Sequence, residues 1–421
     1  MVMSQIFSLR PEDVKENNIL SSYFLVPENC DYEALEKAFN LVIERNDSYR
    51  LKIFRKGLRL FQYVQDFTPC TLDRVKLASR EEFEEYLKTI DKYKIPLTAD
   101  KLFWATLVDM GSCGALVIRM HHACTDGFSM NLMFHELESF YDSFSRGETP
   151  EAPKKSYSVT DFFTQREEYK KSAQHKEDMA FWKHCYNNQR HYSFPAGRRA
   201  SNGEAGEETA VFSGEIYKKL CTLCKDEGFS LQFLFMSLVA LTVNSLTRAD
   251  NFCIYSLSHG RTTFPLKQTS GCMMNTIPVF YDIDANLNTR EFLKAQYTRF
   301  LEFLLHGKLS EGDRTPISYK EAFRNKLNFL HGWMMFSSME YSNTARASKY
   351  EIRRLPYKTI PYQFYCAFLE VKGDRAEIKL TYQKKRFDRE QIIKAKRALE
   401  NIVKALTENP DNEIRHIIKG E

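Results

Sequence analysis

Seven consecutive residues, His121-His122-Ala123-Cys124-Thr125-Asp126-Gly127, bring the side chains needed for proton transfer to one turn of the chain. An imidazole titrates near neutral pH. It can take a proton from a nucleophile attacking a carbonyl, hydrogen-bond the oxyanion that develops, or hold the nucleophile in place. His122 is the candidate for the central residue, and its type leaves those three roles open. A lone histidine is more often a satisfied member of a core. Four fixed positions, His-His and then Asp-Gly after three residues, would arise by chance in about one chain in a thousand of this length, which favours chemistry. His121 is expected to support the loop. Gly127 suits either a positive-φ turn or a place where a side chain would block access.

The elements around the motif follow from hydrophobic spacing. The apolar run 114–120 predicts a buried strand that ends at the motif, paired antiparallel with 103–109. After the motif, Met133, Leu137, Phe140, Tyr141 and Phe144 share one helical face, and 146–150 ends that helix. Upstream, a strand is expected over 20–26. Asp31 caps a helix running to residue 45, with Leu35, Ala38, Phe39, Val42 and Ile43 inward. A hairpin is expected from 50–55 and 58–64, and a helix over 81–92. Helices are expected over 156–172 and 178–186, and a polar connection over 189–209. Further on, helices at 216–226 and 230–247 precede a strand at 252–257. The second of these helices is apolar nearly all round and should be buried. A strand at 275–283 and a helix at 290–305 follow. Late strands at 332–338, 362–371 and 376–382 lead to a last helix from 387 to 406.

The 421 residues suit two or three domain-sized units, or two lobes sharing one site. The 32 Phe and 22 Tyr supply a large core, and the net charge of +5 is modest. Basic pairs such as Arg353-Arg354 read as solvated faces, and no nucleic-acid-binding stripe or module is present. No stretch approaches 18 apolar residues and no secretory leader is evident, so a cytoplasmic location with ten reduced cysteines is expected. Cys221 and Cys224 form the sole C-x-x-C, with no second pair to complete a zinc site, so no metal is expected. There is no G-x-S-x-G, no G-x-x-x-x-G-K-S/T and no G-x-G-x-x-G, so hydrolase and nucleotide-binding readings lack support.

Met120-His-His-Ala-Cys-Thr-Asp-Gly-Phe-Ser129 resembles the M-H-H-x-x-x-D-G-x-S segment of the condensation domains of nonribosomal peptide synthetases. Those domains share a superfamily with chloramphenicol acetyltransferase. Glu44-Arg45-Asn46-Asp-Ser-Tyr-Arg50-Leu-Lys-Ile-Phe54 is similar to the family's R-H-E-x-L-R-T-x-F. Tyr157 to Phe162, Phe181-Trp182, Gly260-Arg261 and Ser270-Gly271-Cys-Met-Met-Asn275-Thr276-Ile-Pro278 match later segments in order. Met334 to Ser337 and Phe387-Asp388-Arg389 match weaker signposts. Asn46 stands where the family usually has His, the first motif is barely recognisable in 3–9, and the H-Q-D-x-P-F-E segment is missing near 306–316.

The resemblance implies a mixed α/β fold of two chloramphenicol acetyltransferase-like lobes, 1–170 and 171–421, arranged as a V around a central tunnel. It implies that His122, His121, Asp126 and Gly127 form the catalytic motif, with Asp126 turned inward against an arginine. Arg50 is the candidate partner. Ser129 would cap the helix or line the tunnel. Asn275 and Thr276 would reach the tunnel from the second lobe, and are equally well explained as plain strand-start residues. The implied reaction joins a carrier-protein-bound acyl thioester to an amine, giving an amide. The partners are carrier proteins presenting phosphopantetheine arms, and no cofactor is held by the chain itself. The chain reads as either a stand-alone protein or an excised domain, and as a monomer. Three alternatives stay open: an acyl-CoA-dependent acyltransferase, an epimerization domain, and a non-catalytic recruitment domain of the same fold.

Overall fold

The computed structural model describes residues 19–57, 59–152, 155, 157–188, 203–324, 334–338, 349–356, 359–360, 364–371 and 373–419. In chain order the strands are β1 (Ile19–Val26), β2 (Leu51–Lys56), β3 (Arg59–Val64), β4 (Arg74–Lys76), β5 (Phe103–Asp109), β6 (Gly114–His121), β7 (Gly203–Ser213), β8 (Asn251–Ser258), β9 (Asn275–Asp282), β10 (Met334–Ser338), β11 (Glu351–Arg354), β12 (Thr359–Ile360), β13 (Phe364–Val371) and β14 (Arg375–Gln383). Helices α1 (Tyr32–Arg45), α2 (Arg80–Thr89) and α3 (Gly127–Ser145) cover the first sheet, and α4 (Leu231–Thr247) and α5 (Arg389–Glu408) pack on the second. The expected mixed α/β class is therefore borne out.

The chain divides into two units. One comprises Met1–Lys171, His259–Met274 and Asn343–Tyr357; the other comprises Ser172–Ser258, Asn275–Ser342 and Lys358–Glu421. A single boundary at 170/171 predicts neither of the two later segments that join the first unit. Both segments carry residues that matter to the motif, as shown below.

In the first unit the strand order is β11-β1-β6-β5-β4, antiparallel except for the β5–β4 pair. Strand β6 is central and buried along its whole length. Its side chains alternate as a strand requires. Leu116, Ile118 and Met120 join the cluster built with α1 and α3, while Ala115 and Val117 join the cluster with Phe83 and Leu87 of α2. Covering both faces explains a run with no polar alternation. Helix α1 forms as its spacing predicts: the Asp31 carboxylate accepts from the Ala34 N–H at 2.9 Å, and Leu35, Ala38, Phe39, Val42 and Ile43 are all buried. Strands β2 and β3 form a separate hairpin, also as expected.

In the second unit the order is β12-β7-β14-β13-β10-β8-β9, with β10 parallel to both neighbours. Helix α4 is buried over Phe233–Asn244, matching its apolar circumference. Phe235 packs between Phe212 of β7 and Phe368 of β13, at ring-centroid distances of 5.3 and 5.2 Å.

Some local expectations differ. The helix over 81–92 stops at Thr89 and continues only as a 3-10 turn, Ile90–Lys92. The polar connection over 189–209 is a strand from Gly203 onward, while 189–202 lie outside the described residues. Its polarity belongs to an ion-paired surface: Glu204 pairs with Lys384, Glu207 with Lys379 at 3.3 Å and Glu208 with Arg389 at 2.7 Å. Glu311–Arg324 also forms a helix, although Pro316 lies inside it.

Candidate active site

The motif sits where β6 gives way to α3. Asp126 is the N-cap of α3, its Oδ1 accepting from the Ser129 N–H at 2.8 Å and from the Ser129 hydroxyl at 2.8 Å. Its Oδ2 accepts from the Met273 N–H at 2.9 Å and from an Arg261 Nη1–H at 2.8 Å. The pair is fully buried, with side-chain exposures of 2% for Asp126 and 0% for Arg261. Burial pushes the Asp126 carboxyl up. The Arg261 charge and the hydrogen bonds from Arg261, Ser129 and Met273 outweigh it, and the net direction is down.

Arg261 spends its whole fork here. Nη1 also donates to the His259 carbonyl at 2.9 Å, Nη2 to the Ser129 hydroxyl at 2.7 Å and the Gly271 carbonyl at 2.9 Å, and Nε to the Thr269 carbonyl at 3.2 Å. The guanidinium also lies 4.6 Å from the Phe128 ring centroid. The segment 259–274 can lie this close because Gly260 has φ +70°, and a Cβ there would stand 2.0 Å from the Met273 carbonyl oxygen.

Arg261 therefore replaces Arg50 as the partner of Asp126. Arg50 ends a short 3-10 turn and donates to the carbonyls of Gln65 (2.6 Å) and Glu44 (3.2 Å), which ties down the foot of the β2–β3 hairpin. Ser129 neither caps α3 nor presents a free hydroxyl: it is wholly buried, donating to Asp126 or to the Gly271 carbonyl and accepting from the Gly271 N–H at 2.9 Å and from Arg261. Asn275 and Thr276 begin β9 in the second unit. The Asn275 amide donates to the carbonyls of Gly307 and Leu309, both at 2.8 Å, and Thr276 donates to Glu311 at 2.7 Å. Those bonds fit the strand-start reading.

The two histidines differ sharply. His121 is buried and its Nδ1 accepts from the Ala123 N–H at 2.9 Å. Burial, then the neighbouring His122, pushes its pKa down to about 3, so it is neutral and holds the turn. His122 keeps part of its surface exposed. Burial lowers its pKa, the Asp126 charge and the carbonyls of His122 and Thr125 oppose this, and the Arg354 charge adds to the lowering. The net direction is down, so the imidazole is neutral and basic at neutral pH. Its Nδ1 faces the Cys272 Sγ at 3.7 Å; in the tautomer that carries the ring proton on Nδ1, Nε2 holds the free lone pair. Burial pushes the Cys272 thiol well up, so it stays protonated and is a poor nucleophile.

Gly127 is not in the left-handed region. Its lack of a side chain makes room instead: a Cβ would stand 2.9 Å from Nη2 of Arg354, which donates to the Gly127 carbonyl at 2.7 Å. Arg354 lies on β11, in the second returning segment of the first unit. Neither Arg261 nor Arg354 received a role from sequence reasoning. The Gly260-Arg261 dipeptide was the available signal for the first.

A family model for the condensation domain matches residues 9–418. Surfactin synthase subunit 1 of Bacillus subtilis (strain 168) is 24% identical over 296 residues, which is 66% of this chain and 8% of that protein. The chain thus spans less than a tenth of that relative's length. Among solved structures, the X-domain from teicoplanin biosynthesis superposes with a TM-score of 0.81 at 17% identity, covering 95% of this chain and 93% of that one. The first condensation domain of the calcium-dependent antibiotic synthetase, in complex with a substrate analogue, gives 0.77 at 14% identity, covering 96% and 94%. These two likenesses concern the fold. With the family model matched from residue 9 almost to the end, the chain belongs to the condensation-domain family of nonribosomal peptide synthetases.

Proposed function

We propose that the chain is a catalytically active condensation domain, in a family whose general function is amide-bond formation. The substrates are an acyl or aminoacyl thioester on the phosphopantetheine arm of a carrier protein, and an amine. A neutral amine adds to the thioester carbonyl, and the adduct carries a proton too many on nitrogen. His122, neutral and partly exposed, takes that proton on Nε2. Collapse expels the pantetheine sulfur as leaving group, to which the proton passes, and leaves the amide. Asp126 does not exchange protons in this scheme. Its buried pairing with Arg261 fixes the start of α3 and thereby the turn that carries His122.

The observation that supports the reading best is the contrast at the motif: one buried, structural histidine beside one partly exposed histidine of lowered pKa. A second reading is a non-catalytic recruitment domain of the same fold, since a neighbour of that fold is known in complex with OxyB. Intact-mass detection of amide product separates them. A panel of acyl- and aminoacyl-loaded carrier proteins is mixed with amine acceptors and the chain, beside folded His122→Ala. Product with the wild type and a loss of about a hundredfold in the variant is expected. No product anywhere in the panel contradicts the proposal.

A further inference from the structure

Arg354 was expected in a solvated basic pair, and only its neighbour behaves so. Arg353 is exposed and pairs with Glu351 at 2.9 Å, while alternation along β11 turns Arg354 to the other face, half-buried against the motif. Register fixes it there, because Arg354 stands opposite Ser22 of β1, beside β6. Two observations place its guanidinium in the site: the hydrogen bond to the Gly127 carbonyl, and its Nη2 lying 2.9 Å from the point a Gly127 Cβ would occupy; its charge also acts to lower the His122 pKa.

A guanidinium offers five N–H donors in a rigid fork suited to oxyanions. Among the described residues Arg354 makes one hydrogen bond, to Gly127, and no carboxylate pairs with it. Arg261, in the same unit, has every arm engaged and is fully buried. An arginine needed only to brace the turn would be expected to resemble Arg261. A half-buried cation with donors to spare, beside the catalytic imidazole, suits a negatively charged oxygen that arrives with the substrate.

We infer that Arg354 is the anion-holding residue of the His122 site, its guanidinium receiving a negatively charged oxygen of the reacting substrates. The inference rests on the reading of His122 as an acyl-transfer residue. The oxygen has two possible sources. One is the thioester carbonyl, which becomes an oxyanion when the amine adds and its C–O π electrons move onto oxygen. The other is a fixed carboxylate on the amine acceptor.

Arg354→Met and Arg354→Lys are compared with wild type, each checked by its thermal unfolding midpoint. One acyl-carrier donor is used with two acceptors, an amino acid and its methyl ester. If the oxyanion is held, Arg354→Met lowers kcat about a hundredfold with both acceptors at little change in KM. If a carboxylate is held, KM rises at least tenfold for the amino acid alone. Arg354→Lys retains part of either effect, because it keeps the charge and loses the fork. Constants within twofold of wild type for both acceptors in Arg354→Met overturn the inference. If the wild type makes no amide, the functional reading fails, and binding decides the inference separately. N-acetylglycine, with its methyl ester as control, is titrated while the His122 ring resonances are followed. A saturable shift for the acid in wild type, lost in Arg354→Met, supports the anion site; no such shift in wild type overturns it.

Discussion

Arg261 and Arg354 both reach the start of α3 from segments far along the chain, and they are engaged there very differently. Around Arg261 everything is closed: the carboxylate, the hydroxyl of Ser129, and the carbonyls of His259, Thr269 and Gly271 saturate it without exposure. Around Arg354 and His122 the groups are partly open, and among the described residues the Arg354 fork makes a single hydrogen bond. On the proposed reading the motif has an architectural half, Asp126 with Ser129 and His121, and a chemical half, His122 with Arg354 over Gly127. Conformational rigidity is placed beside the reactive group and not within it.

Substitutions that break the closed half should cost both folding and activity. Arg261→Met leaves the Asp126 carboxylate buried without its cation, and such losses cost about 3–5 kcal/mol. The unfolding midpoint should fall substantially, with turnover falling alongside it. A midpoint within a degree of wild type would erase the distinction between the halves. Ser129→Ala is milder. It strips an acceptor from the Gly271 N–H and from Arg261, for a loss of about 1–3 kcal/mol by denaturant unfolding, and a smaller fall in turnover than removal of His122.

Acid should attack the closed half from two directions. His121 has a folded pKa of about 3 against the usual 6.5, so the unfolded chain binds its proton first. Its contribution to stability is complete above the unfolded value and is lost as pH falls from about 6.5 towards 3. Asp126 is also depressed, so its contribution is present above the ordinary carboxylate range and fades below about pH 4. Unfolding free energy measured against pH should decline on acidification in two stages. His121→Gln should flatten the upper stage, and an unchanged upper stage would refute the assignment.

What was legible in the chain follows the same division. The strand, turn and helix around His122 are contiguous, so spacing and hydrophobic alternation disclose them: β6, α1, α3 and the hairpin form where expected. Partners are not contiguous. Arg261 lies 135 positions from Asp126 and Arg354 lies 227 positions from Gly127, and no local pattern tells one arginine from another. Arg50 has the place in a motif that suggests a partner for Asp126, yet its side chain serves two nearby carbonyls. The pair Arg353-Arg354 read as one charged patch because composition ignores the strand, which sends adjacent side chains to opposite faces. The strand beginning at Gly203 read as a connection because its glutamates look like loop residues until Lys379, Lys384 and Arg389 stand beside them.

The most direct test measures turnover and stability together on His122→Ala and Arg261→Met, with one productive acyl-carrier donor and amine. The account predicts that His122→Ala loses about a hundredfold in turnover while its unfolding midpoint stays near wild type, and that Arg261→Met loses both. Turnover retained by folded His122→Ala would contradict the account at its centre.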